Sequence, residues 1–230
     1  MKIVTNEKFI ARNQKIGRYF LWGSLAILGV GLYMSFQPSL ILYSYIALLA
    51  GFVTSQVSVF YTNRIGVGAR IDQKISAALK GLDNKFTLYH FSTPVSHLLV
   101  GPAGVWVIMP YHQAGTISYD ENRNRWKQKG GSLFRKIFSQ ESLGRPDIEV
   151  KTAIEDIERF MTEKLKMQNA PKVNAVLVFF NPKTVVDAAN APHPTLLLEK
   201  TKDFFRRYIK ENAVDLAQIQ NLQECLPKES

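Results

Sequence analysis

Several acidic residues in the C-terminal half of the chain have side chains that could support metal chemistry. Carboxylate oxygens are the ligands that Mg²⁺ prefers, and a metal-bound water is a good nucleophile toward a phosphodiester. If the fold brings these carboxylates to one cleft, flanked by His97 and His112, the protein could be a metal-dependent hydrolase. The candidate ligands are Asp120, Glu121, Asp147 and Glu149. The spacings of His90, His97 and His112 match no common zinc pattern.

A group of basic residues surrounds a tryptophan and indicates a second kind of chemistry. Alternating cations can follow a phosphate backbone while an indole stacks on a base. The same alternation is also typical of a half-exposed strand whose charges are solvated, and on charge alone lipid headgroups are an equally suitable partner. The candidate nucleic-acid-binding residues are Arg123, Arg125, Trp126, Lys127, Lys129, Arg135 and Lys136.

Composition limits the remaining possibilities. The formal net charge of +10 favours anionic partners. Cys225 is the only cysteine, which excludes a disulfide within the chain and a cysteine-based zinc site and suits a reducing cytoplasm. The sequence contains no Walker-type phosphate loop and no Ser–His–Asp pattern beyond chance. Nucleotide hydrolysis and serine hydrolase chemistry are therefore poorly supported.

Two apolar stretches, residues 19–36 and 40–61, contain no charged residue. Each approaches the ~20 apolar residues that cross a bilayer, and the short turn between them predicts a transmembrane helical hairpin. A cleaved signal peptide is the alternative, but a second span follows at once and no small-residue cleavage pattern separates the two. Residues 1–18 form a basic leader, and basic residues also follow the second span. The positive-inside rule therefore predicts a two-pass membrane protein with both termini in the cytoplasm.

The spans themselves suggest an anchor. Neither contains an ionisable residue of the kind that transporters usually need. The second span carries small residues at four-residue spacing, Ala47, Gly51 and Ser55, which permit close helix packing in lipid. That face either packs on the first span of the same hairpin, which the tight turn favours, or forms a homo-oligomer.

Residues 64–212 predict one soluble α/β domain with a mixed central sheet flanked by helices, and residues 213–230 an amphipathic tail that packs or trails. The order is helix, antiparallel meander, helix, buried central strand, helix. A helix is predicted over 64–82 and another from Pro146. The strands are predicted at Phe86–Phe91, Val95–Val100, Val105–Met109, Thr116–Tyr119, from Trp126, at Val173–Phe180 and at Leu196–Leu198, with a last helix over 202–210.

The run His97–Ile108, HLLVGPAGVWVI, resembles the nuclease-related domain (NERD) family of the restriction-endonuclease-like superfamily. Gly115, Trp126 and the helix start at Arg145–Glu149 follow in the family's order. The resemblance extends from about Gly66 to Phe180, and it implies a restriction-endonuclease-like fold. Family members are expected to hydrolyse phosphodiesters with Mg²⁺ held by an Asp and a Glu, while a Lys positions the attacking water.

By the same resemblance, the positions that carry catalysis in the family are degenerate in this chain. The Asp, Glu and Lys positions hold Ser96, Met109 and Tyr111, the Gln position holds Glu149, and only Asp72 keeps a carboxylate. A thioether is a poor Mg²⁺ ligand and a phenol carries no permanent charge. Pro110 removes a backbone donor, so the strand is expected to bulge or end there. The resemblance therefore implies a pseudoenzyme, with Met109 in the core and His97 in a structural role.

We therefore expect a membrane-anchored protein whose cytoplasmic domain has lost catalysis, needs no cofactor and acts as a binding or scaffolding module. Its partners would be the lipid bilayer and either nucleic acid or a protein. The alternative is an active Mg²⁺-dependent membrane-bound nuclease that uses the relocated carboxylates named above.

Overall fold

A computed structural model describes residues 1–65, 70–130, 142–212 and 214–228. The chain divides into two compact units. One is formed by Met1–Asn6 together with Asp72–Ser230, and the other by Glu7–Ile71. The basic leader of residues 1–18 is thus split between the units, and the C-terminal tail belongs to the first.

The second unit is a pair of long apolar helices packed together. Helix α1 spans Glu7–Ser35, a 3₁₀ turn covers Pro38–Leu40, and helix α2 spans Ile41–Ile65. Both are long and apolar enough to cross a membrane. Their outward side chains are mostly large and apolar: Trp22, Leu42, Leu49 and Phe52 are each more than half exposed.

Small residues allow α1 and α2 to approach closely. A Cβ on Gly51 would lie 2.7 Å from Leu28 Cδ2, and one on Gly31 would lie 3.1 Å from the Cβ of Ala47. The Ser58 hydroxyl donates to the Gly17 carbonyl at 2.8 Å. Ala47 and Gly51 therefore pack within the hairpin, as the first of the two alternatives predicts. A homo-oligomer contact through the Ala47, Gly51 and Ser55 face stays a prediction.

The first unit is a mixed α/β domain, as predicted, and its described residues form two sheets. The larger sheet has six strands in the order β1-β2-β3-β4-β7-β9. Strands β2, β3 and β4 form an antiparallel meander, whereas β1, β7 and β9 join by parallel pairing. The strands are β1 (Lys2–Thr5), β2 (Thr87–His90), β3 (His97–Gly101), β4 (Gly104–Tyr111), β7 (Val173–Phe179) and β9 (Thr195–Leu197).

Helices flank this sheet in the predicted order. Helix α3 (Ile71–Ala78) precedes the meander, and α4 (Pro146–Arg159), continued by a π-helical turn, connects it to β7. Helix α5 (Thr201–Glu211) follows β9, and α6 (Leu216–Cys225) is the last helix of the described residues. Ile219, Leu222 and Leu226 are buried, so the C-terminal tail packs on the domain rather than trailing.

The smaller sheet has three strands in the order β6-β5-β8. Strand β5 (Gly115–Asp120) pairs antiparallel with β6 (Arg125–Lys129) and parallel with β8 (Thr184–Asp187). Ile117 of β5 and Trp126 of β6 belong to the main hydrophobic core. The smaller sheet is therefore held to the domain by its apolar face.

Pro110 neither ends nor bulges β4, so that expectation is wrong. The strand continues to Tyr111, and Pro110 pairs in register with Val178. The Tyr111 carbonyl accepts from Phe180 and so points toward β7, which turns the Pro110 nitrogen to the opposite side. The register with β3 ends at Val107, so this nitrogen lies beyond the last paired residue, where the missing N–H costs no ladder hydrogen bond.

Candidate nucleic-acid interface

The positions that the nuclease resemblance assigns to lysine and glutamine are in direct contact. The Tyr111 hydroxyl donates to Glu149 Oε2 at 2.7 Å. The Tyr111 ring is buried and stacks on Phe179 at 5.3 Å between ring centroids. Burial first, and then the neighbouring Glu149 carboxylate, raises the pKa of Tyr111 far above its usual value. A permanently neutral phenol thus stands where a catalytic cation is expected.

The other degenerate positions lie on different elements. Asp72 is buried in the first turn of α3, and Ser96 is exposed in the turn between β2 and β3. Met109, on β4, is partly buried and packs against the hydrophobic core rather than within it, close to its predicted core position. Of these three residues, only Asp72 has a carboxylate.

Each carboxylate of the relocated-ligand hypothesis contacts a neighbouring residue. Asp120 forms an ion pair with Lys127, Asp147 pairs with Arg145 at 2.8 Å, and Glu121 accepts from Asn190 at 2.6 Å. Glu149 accepts from Tyr111. Within the described ranges, His, Cys, Asp and Glu residues form no group of three or more that could hold a metal ion.

Two of these ion pairs also alter carboxylate ionisation. The hydrogen bond from Lys127 lowers the pKa of Asp120, and the one from Arg145 lowers the pKa of Asp147. Arg125 makes a smaller contribution in the same direction at Asp147. Both carboxylates are therefore held in their charged forms by basic neighbours.

The buried histidine pair of the meander was not predicted from the sequence. His90 and His97 face each other across β2 and β3, with their Nδ1 atoms 2.7 Å apart. His90 Nε2 lies 2.9 Å from the Ser76 hydroxyl. Desolvation, and then the neighbouring His90, lowers the pKa of His97 well below its usual value. His97 thus has the hydrogen-bonding partner that its predicted structural role requires.

The basic residues of the smaller sheet are exposed. Arg123 lies in the short 3₁₀ turn Glu121–Arg123 that connects β5 and β6, and Arg125, Lys127 and Lys129 alternate along β6. Strand β6 is the last strand of its sheet and pairs only with β5 in the part of the chain that the structure describes. Arg135 and Lys136, predicted for the same surface, lie outside the described residues.

Trp126 occupies the opposite face of β6 from these cations. It is 5% exposed, and its Nε1–H donates to the Thr195 hydroxyl at 3.0 Å. Its ring packs edge-on against Tyr119 and lies parallel to the His193 ring at 6.4 Å. The indole is therefore a core residue that fixes β6 to the domain, and the predicted stacking on a base has no exposed ring face to use.

Sequence reasoning therefore placed the cations of β6 at the surface, and of its two readings of Trp126, stacking on a base or a structural role, the burial of the ring supports the structural one. Alternation places Trp126 on the opposite face of β6 from Arg125 and Lys127, but it does not say whether that face is buried. The His90–His97 contact could also have been predicted from the sequence, since the predicted hairpin brings together the strand ends on either side of Pro94. Comparison with known proteins adds no further guide: no family model, curated protein or solved structure matches this chain.

Proposed function

We propose that this chain is a two-pass membrane protein whose cytoplasmic domain has a nuclease-related fold without catalysis and binds nucleic acid. The observed order of helix, antiparallel meander, helix and parallel strand agrees with the restriction-endonuclease-like expectation over α3, β2–β4, α4 and β7. This agreement supports the resemblance on topology, while the function has to come from the residues themselves.

The observation that carries the proposal is the separation of Trp126 from the basic residues of β6. A core tryptophan holds the strand in place, and the strand presents Arg125, Lys127 and Lys129 to solvent on its other face. Closely spaced exposed cations bind phosphates by releasing condensed counterions, and this term needs neither a metal nor a catalytic base. Binding without hydrolysis is thus the chemistry that the exposed groups support best.

Chain connectivity supports the proposed topology. Strand β1 precedes α1, and it pairs in parallel with β2, which follows α2. Both ends of the hairpin therefore lead into one sheet, which requires an even number of membrane crossings. Cys225 provides a test because it is exposed and is the only cysteine. In oriented membrane vesicles, an impermeant maleimide should label Cys225 only from the cytoplasmic side, and labelling only from the opposite side would overturn the topology.

Binding is tested with the full chain in nanodiscs of zwitterionic lipid. We expect the triple variant Arg125→Gln/Lys127→Gln/Lys129→Gln to lose about tenfold or more in affinity for duplex DNA at low salt. The matched control Lys200→Gln/Arg207→Gln/Lys210→Gln removes the same charge from exposed positions on and beside α5 and should keep the affinity.

Two results would overturn this assignment. Equal losses in both triple variants would show that net charge, rather than β6, controls the affinity. Absence of DNA binding at low salt, together with binding of the wild type to anionic vesicles or to a protein partner, would move the function to that partner.

A further inference from the structure

Among the residues that the structure describes, the exposed face of β6 contains cations and no aromatic ring. Arg125, Lys127 and Lys129 are exposed at alternate positions, so the backbone positions of neighbouring basic residues are separated by about 6.6–6.8 Å along the strand. Lys127 pairs with Asp120, which keeps its ammonium at the surface beside β5. The rings of Tyr119 on β5 and Trp126 on β6 pack against each other. Within the described ranges, the face can therefore contact phosphates but offers no ring on which an unstacked base could stack.

This arrangement distinguishes between kinds of nucleic acid. Proteins that bind single strands combine a basic groove with aromatic side chains on which successive bases stack. Without such rings only the phosphate contacts remain, and these are strongest where charge density is highest. A duplex carries one negative charge per about 1.7 Å of its axis, more than a single strand does.

We propose that the β6 face binds base-paired nucleic acid through its phosphates and does not discriminate base sequence. The inference rests on the proposed function, since it specifies the ligand of the same surface. A contact limited to a few phosphates gives weak, salt-sensitive binding, of the order of 10⁻⁴–10⁻⁶ M for non-specific complexes at physiological salt. The membrane anchor would not change this intrinsic affinity.

The test compares a labelled duplex of about 20 base pairs with each of its separated strands, using the full chain in zwitterionic nanodiscs between about 50 and 200 mM salt. We expect the duplex to bind at least about fivefold more tightly than either strand. The plot of log affinity against log salt should have a slope of about −2.7 for three contacted phosphates. A duplex of scrambled sequence should bind equally well.

The variants separate phosphate contact from stacking. In the triple variant of β6 the salt slope should rise toward zero. Trp126→Phe, which keeps a buried ring, should leave both affinity and slope unchanged. Single strands that bind as tightly as the duplex, or an affinity that falls with Trp126→Phe while the protein stays folded by circular dichroism, would overturn this inference but leave the proposed function standing. If neither nucleic acid binds, the proposed function fails as well.

Discussion

The two sheets of the domain place their polar side chains in opposite ways. In the six-stranded sheet polar groups pair with one another: His90 contacts His97, and Tyr111 donates to Glu149 on the adjacent helix. In the three-stranded sheet the cations of β6 are exposed. The larger sheet thus uses these polar side chains for internal contacts, while the smaller sheet presents charged groups that a ligand could contact. The positions to which the nuclease resemblance assigns catalysis and the proposed ligand surface therefore lie on different elements of the domain.

The largest effect on stability is expected from the removal of Trp126, whose side chain joins the two sheets. Trp126→Ala should lower the free energy of unfolding by about 3–5 kcal/mol, because it deletes a large buried side chain and leaves a cavity. Pulse proteolysis of the full chain in detergent over a urea series measures this loss. Trp126→Phe is the control and should lose much less. A stable Trp126→Ala protein with impaired binding would instead make the indole a ligand contact and break the comparison.

Acidification should destabilise the larger sheet through its histidine pair. The folded pKa of His97 lies below its usual value, so below about pH 6.5 the unfolded chain takes up a proton that the folded domain excludes. Stability should therefore be unaffected above that pH and fall below it, by at most about 1.4 kcal/mol per pH unit for this group. The same proteolysis assay, run from neutral pH to about pH 5, measures the slope.

A control variant isolates this pH effect. His97→Gln removes the titrating imidazole, so its stability should depend less steeply on pH over the same range, even if the variant is less stable at neutral pH. Parallel pH profiles for the wild type and His97→Gln would contradict the assignment of the slope to this pair.

Tyr111→Phe should have a smaller effect. It removes one hydrogen bond to Glu149 while keeping the ring on Phe179, which corresponds to about 0.5–1.5 kcal/mol of stability. Glu149→Gln keeps an acceptor and serves as the control, measured by the same unfolding assay. Binding of duplex DNA should be unchanged in both variants, and a loss of binding in Tyr111→Phe would return the ligand site to the end of β4.

The smallest effect on stability is expected at the surface of the smaller sheet. Lys127→Gln breaks an exposed ion pair with Asp120, and such pairs contribute little in water. Its urea midpoint should equal that of the wild type. The slope of log affinity against log salt for duplex binding should become less negative by about 0.9. Ser118, which is paired with Lys127 in the register of β5 and β6, provides a neutral control as Ser118→Ala.

The meander and the central strand could be predicted from sequence because their apolar runs are separated by strong turn signals, such as Gly101–Gly104. Strand β1 could not, since Lys2–Thr5 is short and lies in a basic leader, and its partner β2 is more than eighty residues away. Long-range pairing of this kind depends on tertiary contacts rather than on a local pattern. Strand β8, whose partner β5 lies about seventy residues earlier in the chain, was missed for the same reason.

For the candidate interface, residue types were sufficient to find the exposed cations but not to assign their neighbours. The alternation around Trp126 is compatible with an exposed or a buried indole, and only the contacts with Thr195 and His193 on distant segments decide between them. The Tyr111–Glu149 hydrogen bond likewise depends on where α4 begins relative to β4. Side-chain pairing between elements is set by packing that local periodicity does not encode.

The most direct test of the central claim measures binding and cleavage in one sample. The full chain in zwitterionic nanodiscs is incubated with labelled duplex DNA at low salt, with Mg²⁺ or Mn²⁺, and both the bound fraction and the length of the DNA are determined. The account predicts DNA that is bound through β6 and remains intact. Cleavage that depends on the metal and disappears in Asp72→Asn would contradict it and establish an active nuclease with relocated ligands.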